Sequence, residues 1–423
     1  MQKLMLVGCL SVLVAAGCMD TADGQSDDEW TEQLASPWTA PVSLSVPIPP
    51  TDVVENPAVA VNAAGAEVAA WDDQAADGTQ FVHVRTSADG VHFSPPTTLG
   101  HGVEPAVALA PDGRAVAVWI GLSTSISGTL QASVRPPGRA WSTPVQVSPD
   151  AGLPHLGIDG AGNAIAVWAS PGGVKTASLP AGGSWSAVRT LATGGSAPDL
   201  AVNASGAAVV TWTGTGSSII ADSGTVLRGF MAPVTVAPAQ FRQGGSHVAL
   251  NDAGQAALAW RGRTTDLAAT RNPAGTWTAP TTLATNVSGA ATGSVDVAID
   301  GAGNAVAVIQ RLHTVGSSFT SPLYASRRPA GGAWGPATLL SGINDSTGQP
   351  TIVADAAGTF VAAWNVSGNI SLVAATSRGG GSTFGAPVAV GSNFGSISLA
   401  IAPGRAVLMW TSGGATVSSQ PVP

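Results

Sequence analysis

Short apolar runs alternate with turn residues through most of this chain. In PAVAVNAAGAEVAAW (57–71) alternating positions make one strand, Asn62-Ala-Ala-Gly65 turns the chain, and a more continuously apolar strand returns to Trp71. This unit recurs eight times, each with a glycine six residues before an apolar anchor: Gly65–Trp71, Gly113–Trp119, Gly162–Trp168, Gly206–Trp212, Gly254–Trp260, Gly303–Ile309, Gly358–Trp364 and Gly404–Trp410. Successive anchors lie 48, 49, 44, 48, 49, 55 and 46 residues apart. A period of that length, built of short strands, belongs to a radial array of small sheets. After each anchor comes a third strand, such as FVHVRTS (81–87). A fourth segment follows, led by an aromatic: Phe93, Trp141, Trp185, Phe230, Trp277, Trp334 or Phe384. Proline close behind these aromatics suits an outermost strand, which feeds no further ladder. The predicted fold is an all-β propeller of four-stranded antiparallel blades.

The chain ends predict how the ring closes. Beyond Trp410 there is room for a third strand (415–422) but not a fourth, and Trp38-Thr-Ala-Pro has the fourth-segment pattern with no blade before it. Joining the two halves gives eight blades, closed by an N-terminal strand. The alternative is seven blades plus a divergent cap, since the unit ending at Ile309 lacks its tryptophan.

Six units place Asn or Asp three residues before the turn glycine: Asn62, Asp159, Asn203, Asn251, Asp300 and Asp355. Their side chains are expected to cap the turn backbone. Each turn holds too few carboxylates for calcium, which gathers several oxygen ligands.

Charged residues are only 10% of the 423, against about 25% in ordinary soluble domains. Blades covered on both faces account for much of that deficit. The start of the chain stands apart. MQKLMLVGCLSVLVAAGC has a lysine, an apolar run and small residues before Cys18, the design of an export signal. Its Ala15-Ala16-Gly17-Cys18 ending resembles a bacterial lipoprotein signal, which implies acylation of Cys18 after cleavage; an ordinary cleaved signal and a soluble secreted product is the alternative. Losing Lys3 with this leader takes the formal charge from −8 to −9 and leaves Cys18 as the one cysteine. Residues 19–36, rich in Asp and Glu, read as a solvated tether. The organisation expected is thus 1–18 signal, 19–36 tether and 37–423 a single propeller. An acidic exported domain is a poor nucleic-acid binder, so membrane contact is expected through the lipid alone and the domain as a monomer.

Ser87-Ala88-Asp89-Gly90-Val91-His92-Phe93 lies between a third and a fourth strand. With the looser Arg271–Trp277 and Arg328–Trp334 turns, it resembles the Asp-box of sialidase-like propellers of the BNR type. The resemblance covers residues 37–423 as architecture. Sialidases act through an arginine triad, a Tyr–Glu nucleophile pair and an acidic Asp. The single tyrosine here, Tyr324, falls near the start of a third strand, off the axis that first strands line, so the resemblance implies the fold and not the activity.

No catalytic motif stands out. The six histidines lack metal-ligand spacing, no Gly-x-Ser-x-Gly elbow leads into a helix, and neither cofactor nor metal is expected. Function is expected on the face that carries the second-to-third and inter-blade connections, which vary while the other turns stay short. There Arg242, Arg261, Arg263, Arg311 and His313 come from neighbouring units and form a candidate anion-binding sector, arginine forks being suited to carboxylates. The function expected is an exported, lipid-anchored binding or scaffold module of the cell envelope, recognising an anionic glycan, a carboxylate or an envelope protein. A glycan hydrolase or lyase on the same face and a purely structural envelope protein are the alternatives. Paired carboxylates in one funnel would favour the enzyme.

Overall fold

A computed structural model describes residues 38–45, 53–122, 128–238, 245–262, 264–285, 293–315, 318–367, 371–392, 395–411 and 414–421. Cys18, the leader, the tether, Arg242 and Arg263 lie outside the described residues.

Eight antiparallel sheets form the blades of one ring, numbered here by their anchors from Trp71 (blade 1) to Trp410 (blade 8). Blade 1 runs from an inner strand, Val53–Val61, through Glu67–Gln74 and Gln80–Ser87 to an outer strand, Thr97–His101. Second strands are flanked on both edges and covered on both faces. Ala115–Gly121, for example, is buried at every position, which is why these strands are apolar without alternation. In blades 4 and 7 the fourth strand comes in two pieces, both paired to the third. Blade 6 has a fourth strand of two residues, Thr338–Leu339, and an added hairpin, His313–Val315 with Ser318–Thr320, in its second-to-third connection.

The anchors hold the blades together. Trp71 packs with Val407, Met409 and Leu44 of blade 8, Trp168 with Val118 and Leu130 of blade 2, and Trp364 with Val306 and Leu323 of blade 6. Each lies against the blade before it. Ile309 does the same with Ala257, Ala259 and Ala268 of blade 5. Loss of the indole at this interface therefore does not end the array, and the count is eight.

Closure is as the chain ends foretell. Val42–Ser43 is the outer strand of blade 8, beside the C-terminal strand Ala415–Pro421, with Val42 opposite Val417. Across the joint Arg405 of blade 8 forms an ion pair with the buried Glu67 of blade 1, Nε to Oε1 2.9 Å, and donates to the Asp89 carbonyl at 2.7 Å.

The fourth strand departs from expectation in one respect. Only in blades 4 and 7, where Phe230 and Phe384 pair with the third strand, does the aromatic lead the ladder. Trp277 makes only an isolated bridge to Arg271, and the ladder begins at Thr281, after Pro280. Proline removes a donor, so the chain leaves the sheet there, and Trp277 packs against the core between blades 4 and 5.

The turn residues do more than cap. Asn62 Oδ1 accepts from the amides of Ala64 and Ala66 at 3.0 and 3.1 Å, while its Nδ2 donates to the Ala110 carbonyl of the next blade at 3.1 Å. Asn203 and Asn251 reach the next turn likewise, at 3.0 and 2.9 Å. One amide thus closes its own turn and ties it to its neighbour.

Deleting residues 37–46 would remove the outer strand of blade 8 and the fully buried Leu44, a side chain worth about 2–5 kcal/mol on truncation. The expected result is insoluble protein or a fall of many degrees in Tm by calorimetry. An unchanged melt would contradict closure by the N-terminal strand.

Candidate functional site

The connections between second and third strands, and between blades, share one face. Three of the five expected anion-binding residues are described there, and the structure gathers them on blades 5 and 6. Arg261 ends a second strand directly opposite Asp266 on the third. Arg261 Nη1 donates to the Gly293 carbonyl at 2.8 Å and Arg311 Nη2 to the Thr285 carbonyl at 2.5 Å, one at each end of the connection between the two blades. Arg311 lies 5.0 Å over the Tyr324 ring, and the Tyr324 hydroxyl is 3.2 Å from His313 Nε2. Asp266 is buried, and burial pushes its carboxyl up to about 7 although Arg261 and Arg311 pull the other way. Both guanidiniums therefore serve the fold already, as fasteners of the inter-blade connection.

A second group is one the sequence reading missed. Four residues before the Asn or Asp of their own turns, blades 3 to 6 carry His155, Asp199, His247 and Asp296. Each pairs with the residue before its anchor, and in the other blades that pairing position holds Ala58, Ala106, Thr351 and Ser398. These positions lie towards the connection-bearing end of the first strands, which line an axial channel of about 580 Å³. An inner strand has no partner on its axial edge, so its amides need acceptors. Asp199 Oδ2 accepts from Val248 of the next blade at 2.8 Å, Asp296 Oδ2 from Ile352 at 2.9 Å, and Ser398 Oγ from Val59 at 3.2 Å. The histidines join this arc. His155 Nδ1 is 3.2 Å from Asp199 Oδ1, and His247 Nδ1 lies between the two carboxylates, 3.9 Å from Asp199 and 3.7 Å from Asp296.

The two carboxyls are driven apart. Burial opposes ionisation of Asp199, but the bond and charge of His155, the charge of His247 and the Val248 amide outweigh it and hold its pKa below the usual range. At Asp296 burial prevails over His247 and the Ile352 and Val297 amides, Asp199 adds to the rise, and the pKa goes up. A carboxylate beside a carboxylic acid is the arrangement acid–base chemistry uses. Scattered in sequence, the four residues share one register of the repeat, and aligning the units on their turns would have exposed them.

Beside this arc the channel mouth opens into a cavity of about 390 Å³, lined by His247, Asp296, Gln349, Thr351, Asn365 and Ser396 among others. Asn365 is the penultimate residue of the second strand of blade 7, Phe360–Val366, and its Nδ2 donates to the Gly395 carbonyl at 3.0 Å. Its Oδ1 is buried with no hydrogen-bond partner.

The other expectations fall as follows. Tyr324 sits on a third strand, Leu323–Arg328, away from the axial channel. The turn at Ser87–Phe93 is held by its own side chains: Asp89 Oδ1 accepts from the amides of Val91 and His92 at 2.9 and 2.8 Å, and Ser87 Oγ from that of Gly90 at 2.7 Å. His83 and His92 pair separately, with Asp73 at 3.0 Å and Asp89 at 2.7 Å. Among the described residues no group of three or more His, Cys, Asp or Glu is placed to hold a metal ion.

No family model matches the sequence, and no curated protein matches it. Among solved structures an ulvan lyase, described as a new polysaccharide lyase family, superposes at TM-score 0.49 with 11% identity, over 89% of this chain and 95% of its own. A Hadza microbial sialidase gives 0.42 and 12%, over 88% and 66%. The Aleuria aurantia lectin, in complex with Fucα1-6GlcNAc, gives 0.41 and 12%, over 83% and 100%. At such scores and identities nothing about activity passes from those proteins to this one; the eight-bladed fold rests on the sheets themselves.

Three buried carboxyls make stability depend on pH. Burial lifts Glu67 and Asp266 to about 7 and Asp72 to about 6. A raised folded-state pKa means that the folded protein holds a proton the unfolded chain releases. The contribution is complete below the ordinary carboxylate pKa and is lost as pH rises to about 7. Tm should therefore rise when pH is lowered from 8 to 5, and Glu67→Gln with Asp266→Asn should flatten the profile. A Tm that falls steadily over that interval would contradict the buried assignments.

Proposed function

We propose that this protein is an exported, lipid-anchored binding module of the cell envelope that takes a glycan at the mouth of its axial channel. The observation carrying this reading is the cavity beside the channel. It is concave, it sits over a rigid ring, and it brings together an imidazole, a carboxyl, two amides and two hydroxyls from blades 5 to 8. Convergent polar groups in a preformed hollow are how small polar ligands are held, and hydroxyl-rich rings match such a lining. The unpartnered Asn365 oxygen shows that the lining is not satisfied by the protein alone.

Two further readings have observations of their own. Recognition of an acidic glycan by Arg261, Arg311 and His313 is favoured by the group that Arg311, Tyr324 and His313 form at the same face. Hydrolysis or lysis of a bound glycan is favoured by the opposed Asp199 and Asp296 carboxyls.

The anchor is tested by Cys18→Ser, which should move the protein from the membrane fraction to the soluble one. Wild-type protein already soluble, with an N-terminus beyond residue 18, would overturn it. The binding site is tested on an array of envelope and host glycans. Wild-type domain is expected to bind, and Asn365→Leu to lose most of that binding. An array on which the wild type binds nothing overturns the glycan reading. For the acidic reading, joint replacement of Arg261 and Arg311 should weaken acidic ligands tenfold or more, since one charged hydrogen bond is worth ~1.5–3 kcal/mol. Equal binding by that double variant, or a wild type with no acidic preference, reduces these arginines to structural fasteners.

A further inference from the structure

We propose that the cavity at the channel mouth selects a saccharide carrying a protonated amine, an amino sugar, over neutral and acidic sugars. The inference rests on the reading of this cavity as a glycan site and names the chemistry of its ligand.

The lining offers acceptors and lacks cations. Asn365 is only 8% exposed. Its Nδ2 is committed to the Gly395 carbonyl and its own carbonyl to the Gly348 amide at 2.8 Å, which leaves Oδ1 as a buried acceptor without a donor. Buried polar groups of a native fold are almost always paired, and Asn365 is among the residues lining the cavity, so a ligand donor there would have an unmet acceptor just beneath the surface to turn towards it. On the same cavity lies Asp296, and among the described residues no lysine or arginine lines it. The groups facing Asp296 are His247 from blade 5, Asp199 from blade 4 and the Ile352 amide from blade 7. Further round the arc His155 is paired with Asp199. Arg261 and Arg311 are engaged elsewhere, at the Gly293 and Thr285 carbonyls. Apart from the two imidazoles, the described mouth holds two carboxyls and no cationic side chain.

An ammonium meets these demands together. It donates three hydrogen bonds and accepts none, and it adds a permanent positive charge beside Asp296, where His247 is the titratable neighbour. A hydroxyl donates once and brings no charge, an N-acetyl group loses the charge, and a carboxylate is repelled. The raised Asp296 pKa agrees with this. Burial keeps that carboxyl high against the pull of His247 and the Ile352 and Val297 amides, and a bound cation would pull it down and expel its proton. Affinity should then increase as pH rises through the Asp296 titration, and decline once the amine itself deprotonates.

The test is calorimetric titration of the full domain with four tetrasaccharides: fully deacetylated chitosan, its fully N-acetylated counterpart, cellotetraose and tetragalacturonate. The deacetylated tetramer is expected to bind at least tenfold more tightly than the other three, with proton release that scales with buffer ionisation enthalpy. Asp296→Asn, which keeps an acceptor for the Ile352 amide, and Asn365→Leu should each abolish the preference, with melts showing that both variants fold. If Asn365→Leu fails to fold, Asp296→Asn carries the test alone. Equal binding of the deacetylated and N-acetylated tetramers overturns amine selection while leaving the glycan site in place. A preference untouched by either substitution also overturns it, because an acidic surface attracts a polycation without any site. If none of the four binds, amine selection fails together with the glycan reading beneath it.

Discussion

Everything in this molecule depends on burying one large apolar side chain per blade against the blade before it. A four-stranded sheet with two apolar faces has no stable existence alone. The anchors Trp71 through Trp410 give each sheet a neighbour, and the ring leaves no end unpartnered only because blade 8 is built from both ends of the chain. The Glu67–Arg405 pair sits at that joint, where a break would expose the most apolar surface. A seven-blade alternative drew its support from Ile309, and that residue fills the interface between blades 5 and 6 with the help of Val295 and Leu283.

The same ring creates the axial problem that the His–Asp arc answers. Inner strands turn an unpaired edge to the channel. Asp199, Asp296 and Ser398 supply the acceptors those amides need, each from the preceding blade. A structural requirement thus places carboxyls at the channel mouth. There burial raises both carboxyls, and the histidines and amides around them reverse that rise at Asp199 but not at Asp296. Fold and candidate site are two consequences of one geometry.

Much of this was legible from the chain. The glycine-to-anchor period gives the blade, Asn62 and its counterparts give the turns, and Trp38 gives the closure. These signals are local or strictly periodic, so they survive without knowledge of contacts. The site was legible only in part. Arg261, Arg311 and His313 were expected on one face and are brought together there, but sequence could not show that Thr285 and Gly293 carbonyls take up their guanidiniums. His155, Asp199, His247 and Asp296 escaped because their proximity arises across 141 residues of chain from the ring closing on itself. Only their register relative to the turns hinted at it. Asn365 gave no signal, for its meaning lies in an acceptor left without a donor.

The central claim is that function resides at the channel mouth and not at the rim or on the short-turn face. Hydrogen exchange by mass spectrometry, with and without the deacetylated chitosan tetramer, tests it most directly. The account predicts new protection confined to the starts of the inner strands around Gly348–Ile352 and Gly395–Ser398, with the anchors and short turns unchanged. Protection at the turns around Gly65 or Gly254, or along the outer strands, with the mouth unaffected, would contradict it.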